Sequence, residues 1–103
     1  MVHHASDADF NKHLADHENV VVKYFADWCG TCKLFAPKFR RLSEEDRFTN
    51  ITFIEINAEE SPEARKIAGV NNLPFVATFK KGELFEAYAT GKEEAVLEML
   101  GKL

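Results

Sequence analysis

Val20-Val21-Val22-Lys23-Tyr24-Phe25-Ala26-Asp27-Trp28-Cys29-Gly30-Thr31-Cys32-Lys33 is the stretch on which the fold of this chain turns. Residues 20–26 are almost continuously apolar or aromatic. A strand covered on both faces reads this way, and such strands belong to parallel sheets with helices on each side. Past the cysteines, Phe35, Phe39 and Leu42 recur at helical spacing, so the chain passes from strand to helix at Cys29. Pro37 falls inside that helix, removes a backbone donor, and predicts a kink or a displaced start.

Working outward, residues 51–57 form a second apolar run of strand character. Ser61-Pro62 supplies an N-cap followed by proline at the first helical position, and Gly69 a stop, which frames a short helix. Phe75–Lys80 and Glu83–Ala89 are strands joined by Lys81-Gly82, a hairpin signal. Thr90-Gly91-Lys92-Glu93 reads as a capping box opening a last helix, with Val96, Leu100 and Leu103 as its inner stripe. Upstream, Ser6-Asp7-Ala8-Asp9 has the form of a capping box ahead of a helix carrying Phe10 and Leu14, and residues 1–4 are at most a short edge strand. The predicted order is β-α-β-α-β-α-β-β-α. Helices between the early strands predict parallel pairing with right-handed crossovers, and the final hairpin adds an antiparallel edge. No repeat, low-complexity segment or Pro/Gly/Ser-rich linker interrupts this order. Residues 1–103 are therefore expected to form a single α/β domain around a central mixed sheet with helices on both faces.

The chain is 46% hydrophobic and includes nine Phe. At 103 residues it can bury roughly 60–70% of its unfolded surface, enough for one core without staples. Thirteen Lys+Arg against seventeen Asp+Glu leave a formal charge of −4, which argues against an electrostatic grip on nucleic acid or an anionic membrane. No apolar run approaches the roughly 20 residues of a bilayer span, and no N-terminal apolar stretch directs export.

Cys29 and Cys32 are the only cysteines and lie too close together to staple distant segments. They are either a redox pair or half of a metal site. A thiol attacks a disulfide only as thiolate, and a helix start offers unpaired N–H groups and a positive dipole end to that anion. Cys29 is placed to receive both. Cys32, about one turn later, is expected to be the more buried of the two and near enough to close a disulfide. Cys29 would attack, form a mixed disulfide, and Cys32 would resolve it. A zinc site would need two further ligands. His3, His4, His13 and His17 all fall within the first seventeen residues, with His13 and His17 at i, i+4. Nothing in the sequence brings them to the cysteines, and solvated histidines are the commoner explanation, so no metal is expected.

Trp28-Cys29-Gly30-Thr31-Cys32-Lys33 after an apolar strand, Pro37, Leu73-Pro74 just before the next strand, and Phe79-Lys80-Lys81-Gly82-Glu83 in the hairpin together resemble the thioredoxin family. The resemblance covers essentially the whole chain. It implies the thioredoxin fold, with Cys29 as nucleophile and Cys32 as resolving thiol. It implies that Trp28 shields the pair and contributes to docking, against the alternative of an ordinary core aromatic. Pro74 would follow a cis bond facing the cysteines, leaving the Leu73 backbone to pair with an extended substrate segment and keeping a metal-binding side chain off the thiolates. Phe25 occupies a position where many relatives carry an aromatic. Gly30 reads as a tight-turn requirement. Lys33 is either solvated or a cation favouring the thiolate. The implied activity is cytoplasmic reduction of protein disulfides by a monomer regenerated by a thioredoxin reductase. No bound cofactor is needed, because the Cys29–Cys32 disulfide carries the electrons.

The chain departs from the family in four places. Thr31 replaces the usual proline between the cysteines, which leaves the balance of reductant and oxidant open. Lys23 occupies the position of a buried Asp, and Glu55 occupies one where bacterial relatives often carry Lys. Both stand alone in apolar runs. The expectation is an interchanged buried pair with the proton-transfer role passing to Glu55 or to a neutral Lys23; the alternative is a snorkelling Lys23 and a Glu55 exposed at a strand end. The hairpin is about two residues shorter than in bacterial relatives. Gly91, rather than Thr90, is taken for the glycine that lines the docking groove. Thr31 keeps a more oxidising thiol oxidase or isomerase in view, and Lys23 a non-catalytic binding module.

Overall fold

The computed structural model describes residues 1–103. Its elements run β1 (Val2–Ala5), α1 (Phe10–Asp16), β2 (Asn19–Phe25), α2 (Gly30–Ser43), a single 3-10 turn at Asp46–Phe48, β3 (Thr52–Asn57), α3 (Pro62–Ala68), β4 (Phe75–Lys80), β5 (Glu83–Ala89) and α4 (Glu93–Gly101). The five strands lie in the order β1-β3-β2-β4-β5. β1 and β2 flank β3 in parallel. β4 runs antiparallel to β2, and β5 antiparallel to β4. The antiparallel part is thus larger than the hairpin alone, because a helix precedes β4 without making it parallel. The chain leaves α3 at the end of the sheet where β3 finished, so β4 starts there, with Phe75 opposite Tyr24.

Side-chain alternation splits the core into two layers. Val20, Val22, Tyr24, Ile54 and Ile56 pack with Phe10, Leu14, Ala64 and Ala68 from α1 and α3. Val21, Phe53 and Val76 face Phe35, Phe39 and Leu42 of α2 and Val96, Met99 and Leu100 of α4. Lys23 follows Val21 by two residues, so it lies on the α2 side. That placement decides its chemistry.

Several helix ends differ from expectation. α2 runs unbroken through Pro37 from Gly30 to Ser43, because the buried stripe of Phe35, Phe39 and Leu42 outweighs one lost backbone bond. Ser61 precedes α3 as predicted, yet its hydroxyl makes no cap and is buried without a partner. The cap comes from a distance: Asp7 accepts from the backbone N–H groups of Glu63 at 3.0 Å and Ala64 at 2.8 Å. Gly69 ends α3 in the left-handed conformation at φ 68°. At α1 half of the predicted capping box forms: the Asp9 carboxylate accepts from Ser6 N–H at 2.9 Å, while the Ser6 hydroxyl accepts from Ala8 N–H at 3.3 Å instead of from Asp9, and the regular helix begins at Phe10. α4 begins after Lys92; Thr90 forms a local turn by accepting from Lys92 N–H at 3.1 Å instead of capping the helix. Lys81 and Gly82 both adopt positive φ, which is the hairpin turn their position predicts.

Candidate active site

Cys29 is itself the N-cap of α2. Its sulfur accepts from the Cys32 backbone N–H at 3.2 Å, and the Thr31 hydroxyl lies 3.4 Å away. A thiolate here would meet an N–H donor, a hydroxyl and the positive end of a fourteen-residue helix. Cys29 and Cys32 are joined as a disulfide, with Cα atoms 5.2 Å apart. Both are buried to nearly the same degree, contrary to the expected difference. The bond draws both sulfurs inward against Ala26, with Phe25 and Leu73 at the margin. Gly30 needs no special conformation: its φ is ordinary, and a Cβ there would meet nothing within 4 Å. Its predicted tight-turn role is therefore absent.

On the Cys32 side lies a cavity of about 430 Å³, lined by Lys23, Phe25, Asp27, Lys33, Arg40 and Glu55 among others. Lys23 and Glu55 stand directly opposite each other on β2 and β3. The Lys23 ammonium is 3.9 Å from Glu55 Oε1, so the interchanged pair exists. It is lopsided, however: the Lys23 side chain is 5% exposed and that of Glu55 32%. Lys23 does not snorkel, and Glu55 sits at the cavity mouth instead of the interior. The ammonium also lies over the rings of Phe25 at 5.4 Å and Phe39 at 5.6 Å. Burial pushes the Lys23 amine below its ordinary range, Glu55 pulls it back up, and Arg40 adds to the depression.

On the other side of the disulfide, Thr31, Leu34, Phe35, Leu73, Pro74 and Gly91 line a second groove. The Leu73–Pro74 bond is cis. A Cβ on Gly91 would come within 3.0 Å of Pro74 Cγ, so a bare backbone is what lets this loop approach. Leu73 N–H already donates to the Asn72 side chain at 2.9 Å. A substrate segment pairing through that N–H must displace the amide. Trp28 is 69% exposed, which overturns the core-aromatic alternative.

Two site residues escaped sequence reading. Arg40 lines the cavity because Cys32, Ala36 and Arg40 repeat every fourth residue on one face of α2, a legible signal. His4 Nδ1–H donates to Glu55 Oε2 at 3.3 Å. That contact depends on the register of β1 against β3, which places His4 opposite Glu55.

A helix-capping cysteine bonded to the cysteine one turn later defines a dithiol–disulfide exchange site. The thioredoxin family model matches residues 1–102. The chain is 36% identical over 99 residues to Thioredoxin-1 of Schizosaccharomyces pombe, covering 95% of this chain and 93% of that protein. It is 30% identical over 94 residues to the same yeast's mitochondrial Thioredoxin-2, covering 91% and 69%. Plasmodium falciparum thioredoxin superposes with a TM-score of 0.88 at 26% identity, over 97% of each chain. The chain belongs to the thioredoxin family, and it is a thiol–disulfide oxidoreductase acting on protein disulfides.

Proposed function

We propose that Cys29 attacks the substrate disulfide and Cys32 resolves the mixed disulfide, with Lys23 and Glu55 serving the resolving step. The observation that supports this most is the asymmetry around the pair. The sulfur of Cys29 carries the N–H and hydroxyl contacts suited to a thiolate, while Cys32 shares a polar cavity with Lys23 and Glu55. The Lys23 ammonium favours a Cys32 thiolate by charge, and the Glu55 carboxylate accepts the thiol proton. The two sulfurs exchange the electrons without a bound cofactor. Trp28, Leu73, Pro74 and Gly91 form the docking surface, with Thr31 at the helix entrance. A monomer recharged by thioredoxin reductase completes the cycle. No helix is long and apolar enough to cross a membrane; the cytoplasm is the compartment we propose, although a mitochondrial protein is among the relatives. Reduction of insulin disulfides by the pre-reduced protein tests the reading, and an inert protein with both thiols free would overturn it.

Gly91→Ala tests the groove. The added Cβ forces Pro74 to give way by a few tenths of an ångström. Overpacking of this kind costs about 1 kcal/mol or more, here in the substrate's seat. We expect KM for a protein disulfide to rise about fivefold with little change in kcat. Steady-state kinetics on insulin separate the two parameters, and an unchanged KM would remove Gly91 from the docking surface.

One contact favours a more oxidising character than a proline between the cysteines would allow. The Thr31 hydroxyl near Cys29 stabilises the thiolate and hence the reduced form. Thr31→Val keeps the shape and removes the donor. Its potential is expected to fall by about 15–30 mV, a threefold to tenfold change in the two-electron equilibrium. Equilibration against glutathione buffers reads this directly.

A further inference from the structure

Across three adjacent strands, His4 on β1, Glu55 on β3 and Lys23 on β2 form one polar row on the α2 face of the sheet. Glu55 bridges its neighbours with different oxygens: Oε1 faces the Lys23 ammonium at 3.9 Å, and Oε2 faces His4 Nδ1 at 3.3 Å. The row runs from the buried end beside Cys32 to solvent, since the His4 side chain is 60% exposed. We propose that His4 is a positioning residue for the resolving step, its Nδ1–H holding the Glu55 carboxylate at the cavity, where it takes the proton of Cys32. The inference rests on the roles assigned above to Cys29, Cys32 and Glu55.

The step balances as follows. In the mixed disulfide, Cys32–SH gives its proton to the Glu55 carboxylate across the cavity, whose volume of about 430 Å³ admits water. The Cys32 thiolate then attacks Cys29 Sγ, a Cys29–Cys32 bond forms, and the bond between Cys29 and the substrate sulfur breaks. That sulfur leaves with the electron pair and takes a proton from water. The two protein thiols are oxidised, and the substrate disulfide is reduced. Glu55, with a third of its side chain exposed at the cavity mouth, then releases that proton to water. The charged groups facing Glu55 and this cavity are Lys23 from β2, Asp27 from the β2–α2 junction, Lys33 and Arg40 from α2, and His4 from β1. Of these, His4 alone is an imidazole.

The test is stopped-flow oxidation of the reduced protein by excess disulfide peptide at about pH 7.5. The concentration-dependent limb reads attack by Cys29, and the plateau reads resolution by Cys32. His4→Gln is expected to lower the plateau about threefold to tenfold near pH 7.5, leaving the attack constant within about twofold. His17→Gln, a histidine change on another part of the surface, should match the wild type. In a Glu55→Gln background, His4→Gln should have no further effect, because the two act as one unit. A His4→Gln plateau that tracks the wild type, or a loss confined to attack, would overturn the role of His4 alone. An inactive wild type would instead overturn the reductase reading beneath it.

Discussion

Cys32→Ser should turn the protein into a covalent trap. With Cys29 intact, the variant still attacks a substrate disulfide, because the donors around that sulfur include the backbone N–H of residue 32 and the helix end, which a serine leaves in place. The mixed disulfide then has no neighbouring thiol to break it, and it persists until an external thiol does so. Cys29→Ser should behave differently. A hydroxyl at this position is almost entirely protonated near neutral pH, so the first step fails and no adduct forms. Insulin reduction should fall on the order of a thousandfold or more in both variants. Mass spectrometry separates them: an adduct of protein plus substrate for Cys32→Ser, and none for Cys29→Ser. The reverse pattern, an adduct held by Cys32, would mean that the roles of the two cysteines are exchanged. The near-equal burial of both sulfurs in the disulfide makes that outcome worth testing, since exposure alone does not select the nucleophile.

The cysteine chemistry was legible because it is local. A strand-to-helix junction, a CxxC spacing and a helix dipole are all read within a dozen residues, and the structure places Cys29 at the N-cap those signals imply. Elements with a long period were also legible, including the hairpin and its left-handed turn at Lys81 and Gly82. What failed was what depends on distant partners. Ser61 has the residue type of a cap, but Asp7, far away in sequence, satisfies the α3 amides first. A helix before β4 implies parallel pairing, whereas the chain leaves α3 at the end of the sheet where β3 finished, and β4 runs antiparallel to β2. His4 carried no signal at all until β1 was placed in register with β3. Lys23 and Glu55 were visible as charges in apolar runs, yet only the sheet shows that one is buried and the other half-solvated.

That lopsidedness predicts a conflict between stability and activity. Removing Lys23 leaves Glu55 at the cavity mouth, with water and His4 still available to its carboxylate. Lys23→Met keeps an unbranched side chain of similar length among Phe25 and Phe39, and it relieves the burial of an ammonium. Lost cation–π contacts offset about 1 kcal/mol of that relief, so a net gain of about 1 kcal/mol is expected. Glu55→Gln has the opposite effect, because it strands a buried ammonium without its counter-charge and costs about 2–3 kcal/mol. The pH dependence carries the same signature. Burial holds the folded Lys23 amine below its ordinary value of 10.5. Below that depressed value both states carry the proton and the full burial cost is felt. Between it and 10.5 the folded state has lost the proton while the unfolded state keeps it, so stability from this group rises with pH. Glu55→Gln widens the window by depressing the amine further, and Lys23→Met abolishes it. Urea denaturation at neutral and mildly alkaline pH should therefore rank Lys23→Met above wild type and wild type above Glu55→Gln. The gap between the last two should narrow as pH rises. Resolution by Cys32 should rank differently, slower in both variants than in wild type, because one loses the cation and the other the base. If Lys23→Met were both more stable and equally fast, the buried ammonium would be a packing residue with no part in the chemistry. A slower but more stable variant would show that the chain retains an expensive charge because the second thiol uses it.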